Sequence, residues 1–152
     1  MPFAFATEAP AYWRPEFEEQ GRGVLGDENC EIDDDFFVRG RIRIPVNDAD
    51  EDFEWGVWVT LSEANYERML ELWSTPGREA EPAYFGWLST ELPIYEPSTL
   101  NLQTMVHTRP VGERPLIELE PTDHPLAVEQ REGITLERVR EIALEVLHPE
   151  RV

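Results

Sequence analysis

Apolar and polar residues alternate without a break from Phe53 to Leu61. Phe53, Trp55, Val57, Val59 and Leu61 fall on one side, and Glu54, Gly56, Trp58 and Thr60 on the other. A repeat of two is the mark of a strand with one buried face. At Ser62 the period changes. Tyr66, Met69, Leu70 and Trp73 recur at i, i+3, i+4 and i+7, while Glu63, Glu67, Arg68 and Glu71 take the opposite side, so an amphipathic helix is predicted over 62–73. Ser62 suits the N-cap, and Leu61 is placed to staple onto Tyr66 across the first turn.

The same alternation occurs upstream, over residues 36–46. Val38, Gly40, Ile42, Ile44 and Val46 share one face, and Phe37, Arg39, Arg41 and Arg43 share the other. Pro45 and the acidic run Asn47-Asp-Ala-Asp-Glu-Asp52 end this strand, which predicts an antiparallel hairpin with 53–61. Gly40 and Gly56 lie inside the two strands, where a missing side chain signals close approach by another group. Downstream, Pro76-Gly77 marks a turn. Strands are expected at 83–90, 100–109 and 116–120. Proline in the first turn and Gly133 past the end frame a short helix from Pro125. Thr135 caps a last helix whose stripe is Leu136, Val139, Ile142, Ala143, Val146 and Leu147.

These elements predict a single α+β domain over 1–152: an antiparallel sheet of about five strands with two or three helices packed mainly on one face. Residues 1–29 read as an irregular arm, rich in Pro, Glu and Gly, laid over the domain by Phe3, Phe5, Tyr12, Trp13 and Phe17. The sheet with its inserted helix occupies 36–120, and the C-terminal helices 124–148. Both helical stripes, including Val146, are expected to cover one core.

Composition adds a strong charge bias. Of 152 residues, 32 are Asp or Glu and 13 are Arg, with no Lys, for a net charge of −19. Such a surface repels nucleic acid and anionic membranes and favours cationic partners. Five Trp, four Tyr and seven Phe supply a large core, so folding should require neither metal nor disulfide. Cys30 is alone, which excludes an intrachain disulfide or thiolate cluster and suits a reducing compartment. The N-terminus lacks the basic region of a signal peptide, and no apolar run approaches the ~20 residues of a membrane span. The expectation is a cytoplasmic protein without cofactor or metal.

Several residues invite a chemical reading. Arg39, Arg41 and Arg43 form a row of like charges. They either pair across the strands with Glu54 and its neighbours or make an anion-binding strip, since the guanidinium fork matches carboxylate and phosphate. His107 and Arg109 point the same way on their strand. A turn centred on Gly112-Glu113 would put Glu118 directly across from His107, giving either a general acid–base group or a solvated polar face. His124, between Asp123 and Pro125, reads as part of a helix cap. The Asn47–Asp52 run lacks the mid-loop Gly and trailing Glu of a calcium loop. Trp58, opposite Trp55, is core if both sheet faces are covered and a partner contact if not. No phosphate loop, nucleophile elbow, His-Glu-x-x-His or dinucleotide fingerprint is present.

The run from Phe36 to His124 carries a resemblance. FFVRG, WGVWV followed by LSEANYER, YFGWLSTELP, LNLQTMVHTRPVGERP and IELEPTDHPLAVEQREGI together resemble the uncharacterised bacterial family called domain of unknown function 2199. The resemblance implies no activity. Members typically open with a Cys-x-x-Cys-Gly stretch that looks like half of a zinc ribbon; this sequence lacks it. Cys30 sits where members also carry a cysteine, but one thiolate does not make a zinc site of about four ligands. The residues favour a binding or protein-interaction module that takes a basic protein partner or a small anionic ligand, with homodimerisation open. The alternative is a small-molecule enzyme using His107, Arg109 and Glu118.

Overall fold

The computed structural model describes residues 2–148. Its two longest strands are those of the predicted hairpin, β4 (Asp35–Ile44) and β5 (Phe53–Leu61). They pair antiparallel in unbroken register from Phe36 opposite Leu61 to Ile44 opposite Phe53. Three short strands precede them: β1 (Ala4–Ala6), β2 (Gly23–Leu25) and β3 (Asn29–Ile32). Three follow: β6 (Tyr84–Leu88), β7 (Gln103–His107) and β8 (Leu116–Leu119). The helices are a short α1 (Glu16–Glu19), α2 (Glu63–Glu71), α3 (Pro125–Glu132) and α4 (Leu136–Leu147).

The expected open sheet is instead a closed one. Strands β4 to β8 run antiparallel in sequence, and β8 returns to pair with β4, so five strands close into a barrel. An up-and-down path of five strands brings its first and last together parallel, and the seam is a parallel pairing of Arg41 with Leu116. Each long strand divides its other edge between two partners. Along β4, β3 takes residues 35–38 and β8 takes Arg41; along β5, β1 takes 54–56 and β6 takes 59–61.

Closure also changes where the helices go. The inward sheet face is enclosed, and the helices meet that core from opposite ends of the β4–β5 hairpin. Helix α2 follows Leu61 directly, and its Tyr66 stacks on Phe36 at 5.0 Å, at one end of the hairpin. Ile134, between α3 and α4, pairs with Val46 beyond the other end. One apolar cluster still joins everything, from Val38, Ile42, Val57 and Val59 through Tyr66 and Met69 to Leu126, Val139 and Ile142. The stripes are narrower than predicted. Helix α2 ends at Glu71, short of Trp73, and Leu70, Trp73, Val146 and Leu147 all remain exposed by more than a third.

The local signals act as their chemistry requires. Ser62 accepts a hydrogen bond from the Asn65 amide, and Thr135 from that of Arg138. Asp48, in the acidic loop, accepts from the Leu136 amide and so caps α4 a second time. Gly40 faces the interior at the seam, where a Cβ would stand 2.6 Å from Ile117 Cδ1. The close approach expected there is the Ile117 side chain filling the barrel. Gly56 meets Ala6 of β1 in the same way, at 2.7 Å.

The N-terminal segment is not irregular throughout. Its β2 and β3 extend the sheet beyond β4, and β1 adds to β5 in parallel. It also builds a second, smaller core on the outside of the β4–β5 hairpin, where Phe17, Cys30, Ile32, Phe37 and Trp58 are buried with Trp13 and Leu25 against them. Among the described residues no helix is long and apolar enough to cross a membrane.

Candidate functional site

Burial alternates along β6: Tyr84, Gly86 and Leu88 point inward, and Phe85 and Trp87 outward. On the next strand Gln103, Met105 and His107 point outward, and on β8 Glu118 does. Nothing among the described residues covers this side. Phe85 and Trp87 are each 42% exposed and meet edge-to-face with ring centroids 5.1 Å apart. Phe85 lies opposite Met105, and Met105 opposite Glu118, so one row crosses three strands from aromatic to thioether to carboxylate. The apolar part of the outer face of β4–β5, Phe37 and Trp58, is covered by the N-terminal segment; that of β6–β8 has no such cover among the described residues.

His107 and Glu118 lie on this bare face and touch, Nε2 to Oε1, at 2.9 Å. Their register differs from expectation. His107 stands opposite Leu116 and Glu118 opposite Met105, so the contact is diagonal. The shift is two residues, which keeps both side chains on the same face. With Arg43, Gln130 and Arg131 they line an open groove of about 460 Å³. Arg109 is not with them. It lies past the end of β7, pairs with Glu113 at 3.7 Å and lines a separate cleft. The three residues of the enzymatic alternative therefore do not line one pocket.

The arginine row is engaged within the protein. Glu54 lies 3.2 Å from Arg41 and 3.3 Å from Arg43, and Asp52 lies 3.8 Å from Arg43. Arg39 donates to the Asp27 carbonyl at 3.2 Å and sits over the Trp58 ring at 5.6 Å. Trp58 itself is fully buried, and its indole N–H donates to the Thr7 carbonyl at 3.0 Å. As a candidate partner contact it is thus corrected to core, because the N-terminal segment covers that face. His124 caps α3: Nδ1 accepts from the Leu126 amide at 3.1 Å, which leaves Nε2 to donate to the Pro97 carbonyl at 2.7 Å. Among the described residues no three His, Cys, Asp or Glu side chains are placed to hold a metal ion. Burial, with Glu31 beside it, pushes the Cys30 thiol up to about 12, which disfavours the thiolate that a metal or an electrophile needs.

Sequence reasoning missed Phe85 and Trp87 as surface residues. Their strand carries aromatics on both faces, and the pattern alone does not say which face is covered. It also missed Arg78, which is buried and gives four hydrogen bonds to the carbonyls of Trp73, Arg109, Pro110 and Glu113 at 2.7–3.1 Å. Three of those partners lie more than thirty residues away, where no local pattern reaches.

Fold and surface together define a small α+β barrel domain, extended by its own N-terminal strands and left open on one aromatic face. The chain belongs to the family described as "Uncharacterized protein conserved in bacteria (DUF2199)", whose match spans residues 1–134. That description assigns no activity, so family membership leaves the function unknown. No curated protein and no solved structure matches the chain.

Proposed function

We propose that this protein is a non-catalytic interaction module that holds a basic, arginine- or lysine-bearing segment of a partner protein on the outer face of β6–β8. The observation that carries this reading is the exposed Phe85–Trp87 pair on an otherwise uncovered sheet face. Paired aromatics there supply the apolar anchor that interfaces concentrate at their centre. Their π-faces attract a guanidinium or ammonium group. Glu118, exposed beside them, and the net charge of −19 favour the same sign of partner and raise its association rate.

The test uses a defined probe, an arginine-rich peptide of about ten residues, titrated into isotope-labelled protein with backbone amides followed by NMR. Shifts are expected to concentrate on β6, β7 and β8. Binding should weaken steeply with added salt and fall about tenfold or more in the F85A/W87A variant, since such anchors contribute roughly 2 kcal/mol or more. Shifts scattered over the whole acidic surface and unchanged in that variant would reduce the interaction to bulk charge attraction and refute the site.

A further inference from the structure

A second site lies away from the aromatic face, in the cleft between the end of α2 and the loop that joins β7 to β8. Its volume is about 280 Å³, the size of a small ligand. Three guanidinium groups border it, those of Arg78, Arg109 and Arg114, against the carboxylates of Glu28 and Glu113. A local excess of positive charge in a chain of net charge −19 calls for an explanation.

The three arginines are not equally satisfied. Arg114 is neutralised by Glu28 in a two-pronged contact at 2.7 and 2.9 Å. Arg78 is only 8% exposed, yet all its hydrogen-bond partners among the described residues are neutral carbonyls. Four bonds are made where a guanidinium has five N–H groups, so its charge is spread but not cancelled. Burying such a charge without a counter-ion is costly, and an anion entering the cleft would offset that cost. Among the described residues the Arg109 Nε is buried and makes no hydrogen bond, its nearest carboxylate being that of Glu113 at 3.7 Å. The neighbouring Thr108 hydroxyl, on the same cleft, is also buried without a partner. Most buried polar atoms find partners; of the four without one among the described residues, Arg39 Nε and Arg41 Nε lie elsewhere, and the other two, adjacent in sequence, both line this cleft, where a polar ligand could meet them. The lining also carries the apolar side chains of Met69, Trp73 and Val111, with the Arg78 guanidinium over the Trp73 ring at 5.5 Å.

We infer that this cleft binds a small carboxylate carried on an apolar stem, its charged end toward Arg78, Arg109 and Thr108 and its stem against Met69 and Trp73. The flat, two-oxygen carboxylate matches the guanidinium fork, and the apolar side chains in the lining favour an anion with an apolar stem over a bare inorganic one. The site is separate from the β6–β8 face, so either reading can fail alone.

The experiment titrates benzoate, benzamide and inorganic phosphate into the full chain and follows backbone amides by NMR. Benzoate is expected to shift Trp73, Thr108 and Gly112 saturably, with benzamide at least tenfold weaker because it lacks the charge. R109Q should weaken benzoate about tenfold or more, as loss of a charge-assisted bond implies, with the melting temperature changed by only a few degrees. R131Q, on the groove beside His107, should leave benzoate binding unchanged. Equal binding of benzamide, no loss in R109Q, or saturable shifts elsewhere would overturn the inference. Phosphate matching benzoate would overturn the carboxylate assignment.

Discussion

Val57 and Arg41 lie on opposite sides of the barrel wall, and replacing each tests how the wall is oriented. Val57 is fully buried, faces the interior and stands opposite Gly40, whose missing side chain leaves room for Ile117. In V57D the barrel loses the valine's burial, about 1.5–3 kcal/mol. The new carboxyl must also be neutralised to stay inside. Protonating at pH 7 an acid whose ordinary pKa is about 3.9 costs roughly 4 kcal/mol, and leaving its polar atoms unpaired adds about 1–3 kcal/mol. The sum, about 7–10 kcal/mol, rivals the whole stability of a typical domain, about 5–15 kcal/mol. V57D should therefore fail to give a cooperative melt, while V57A should lose on the order of 2 kcal/mol and still fold. R41A removes a partly exposed contact at 3.2 Å to Glu54, which keeps Arg43 at 3.3 Å. Its cost should stay within about 1 kcal/mol, or about 2–4 °C for a domain of this size. Urea and thermal melts followed by tryptophan fluorescence, with near-ultraviolet circular dichroism for V57D, give the comparison. Similar small losses in V57D and R41A would mean that the interior face has been assigned to the wrong set of residues.

Two further outcomes follow from buried polar groups. The Tyr95 hydroxyl accepts from the Trp55 indole at 3.0 Å and donates to Glu129 at 2.6 Å, tying α3 to the barrel; Y95F should cost about 1–3 kcal/mol in a urea melt by stranding the buried Trp55 indole N–H, while Glu129 keeps Arg138 at 2.8 Å, and an unchanged midpoint would show that this tie carries no stability. Burial raises Cys30 from its ordinary 9.0 to about 12, and Tyr66 and Tyr84 from 10.0 to about 12. The unfolded chain therefore releases these protons first, so the contribution of these three groups should be level below pH 9 and stability should fall as pH rises from about 9 to 12, read as declining melting temperatures. Cys30 should resist alkylation at pH 8 until urea unfolds the chain, and rapid labelling of the native protein would contradict its burial.

Much of this fold can be read locally. The β4–β5 pair, the Ser62 and Thr135 caps and the frame of α3 from Pro125 to Gly133 rest on signals within a few residues, and the structure contains each of them. Closure does not rest on such signals. A strand in an open sheet and one in a barrel show the same alternation, and the β4–β8 seam joins residues as far apart as Arg41 and Leu116. Gly40 was the one local trace of it: close approach was legible there, but not that Ile117 makes it. The strands of the N-terminal segment were hidden for another reason. At three or four residues each, they are too short for a repeat of two to stand out among Pro and Gly. Among the candidate sites, contact between His107 and Glu118 survived an error of two in register because a shift by an even number preserves the face.

The two outer faces of the barrel show why the bare one reads as an interface. Both carry large apolar side chains: Phe37 and Trp58 on β4–β5, Phe85, Trp87 and Met105 on β6–β7. The chain folds its N-terminal segment over the first face, and the second has no such cover among the described residues. Single exposed apolar residues are ordinary, but two aromatics in edge contact on an uncovered three-stranded surface form a patch that water solvates poorly. Such a patch is a hazard for self-association unless something keeps copies apart. A net charge of −19 does that, since two copies approaching face to face repel at low salt. The same field attracts a cationic segment toward aromatic rings that favour it at contact. Charge that opposes pairing between copies and charge that recruits a basic partner are here one property, and salt should therefore act on the two in opposite directions. Added salt should weaken the arginine-rich peptide and relieve the repulsion between copies, so that self-association rises under the conditions in which the peptide is released.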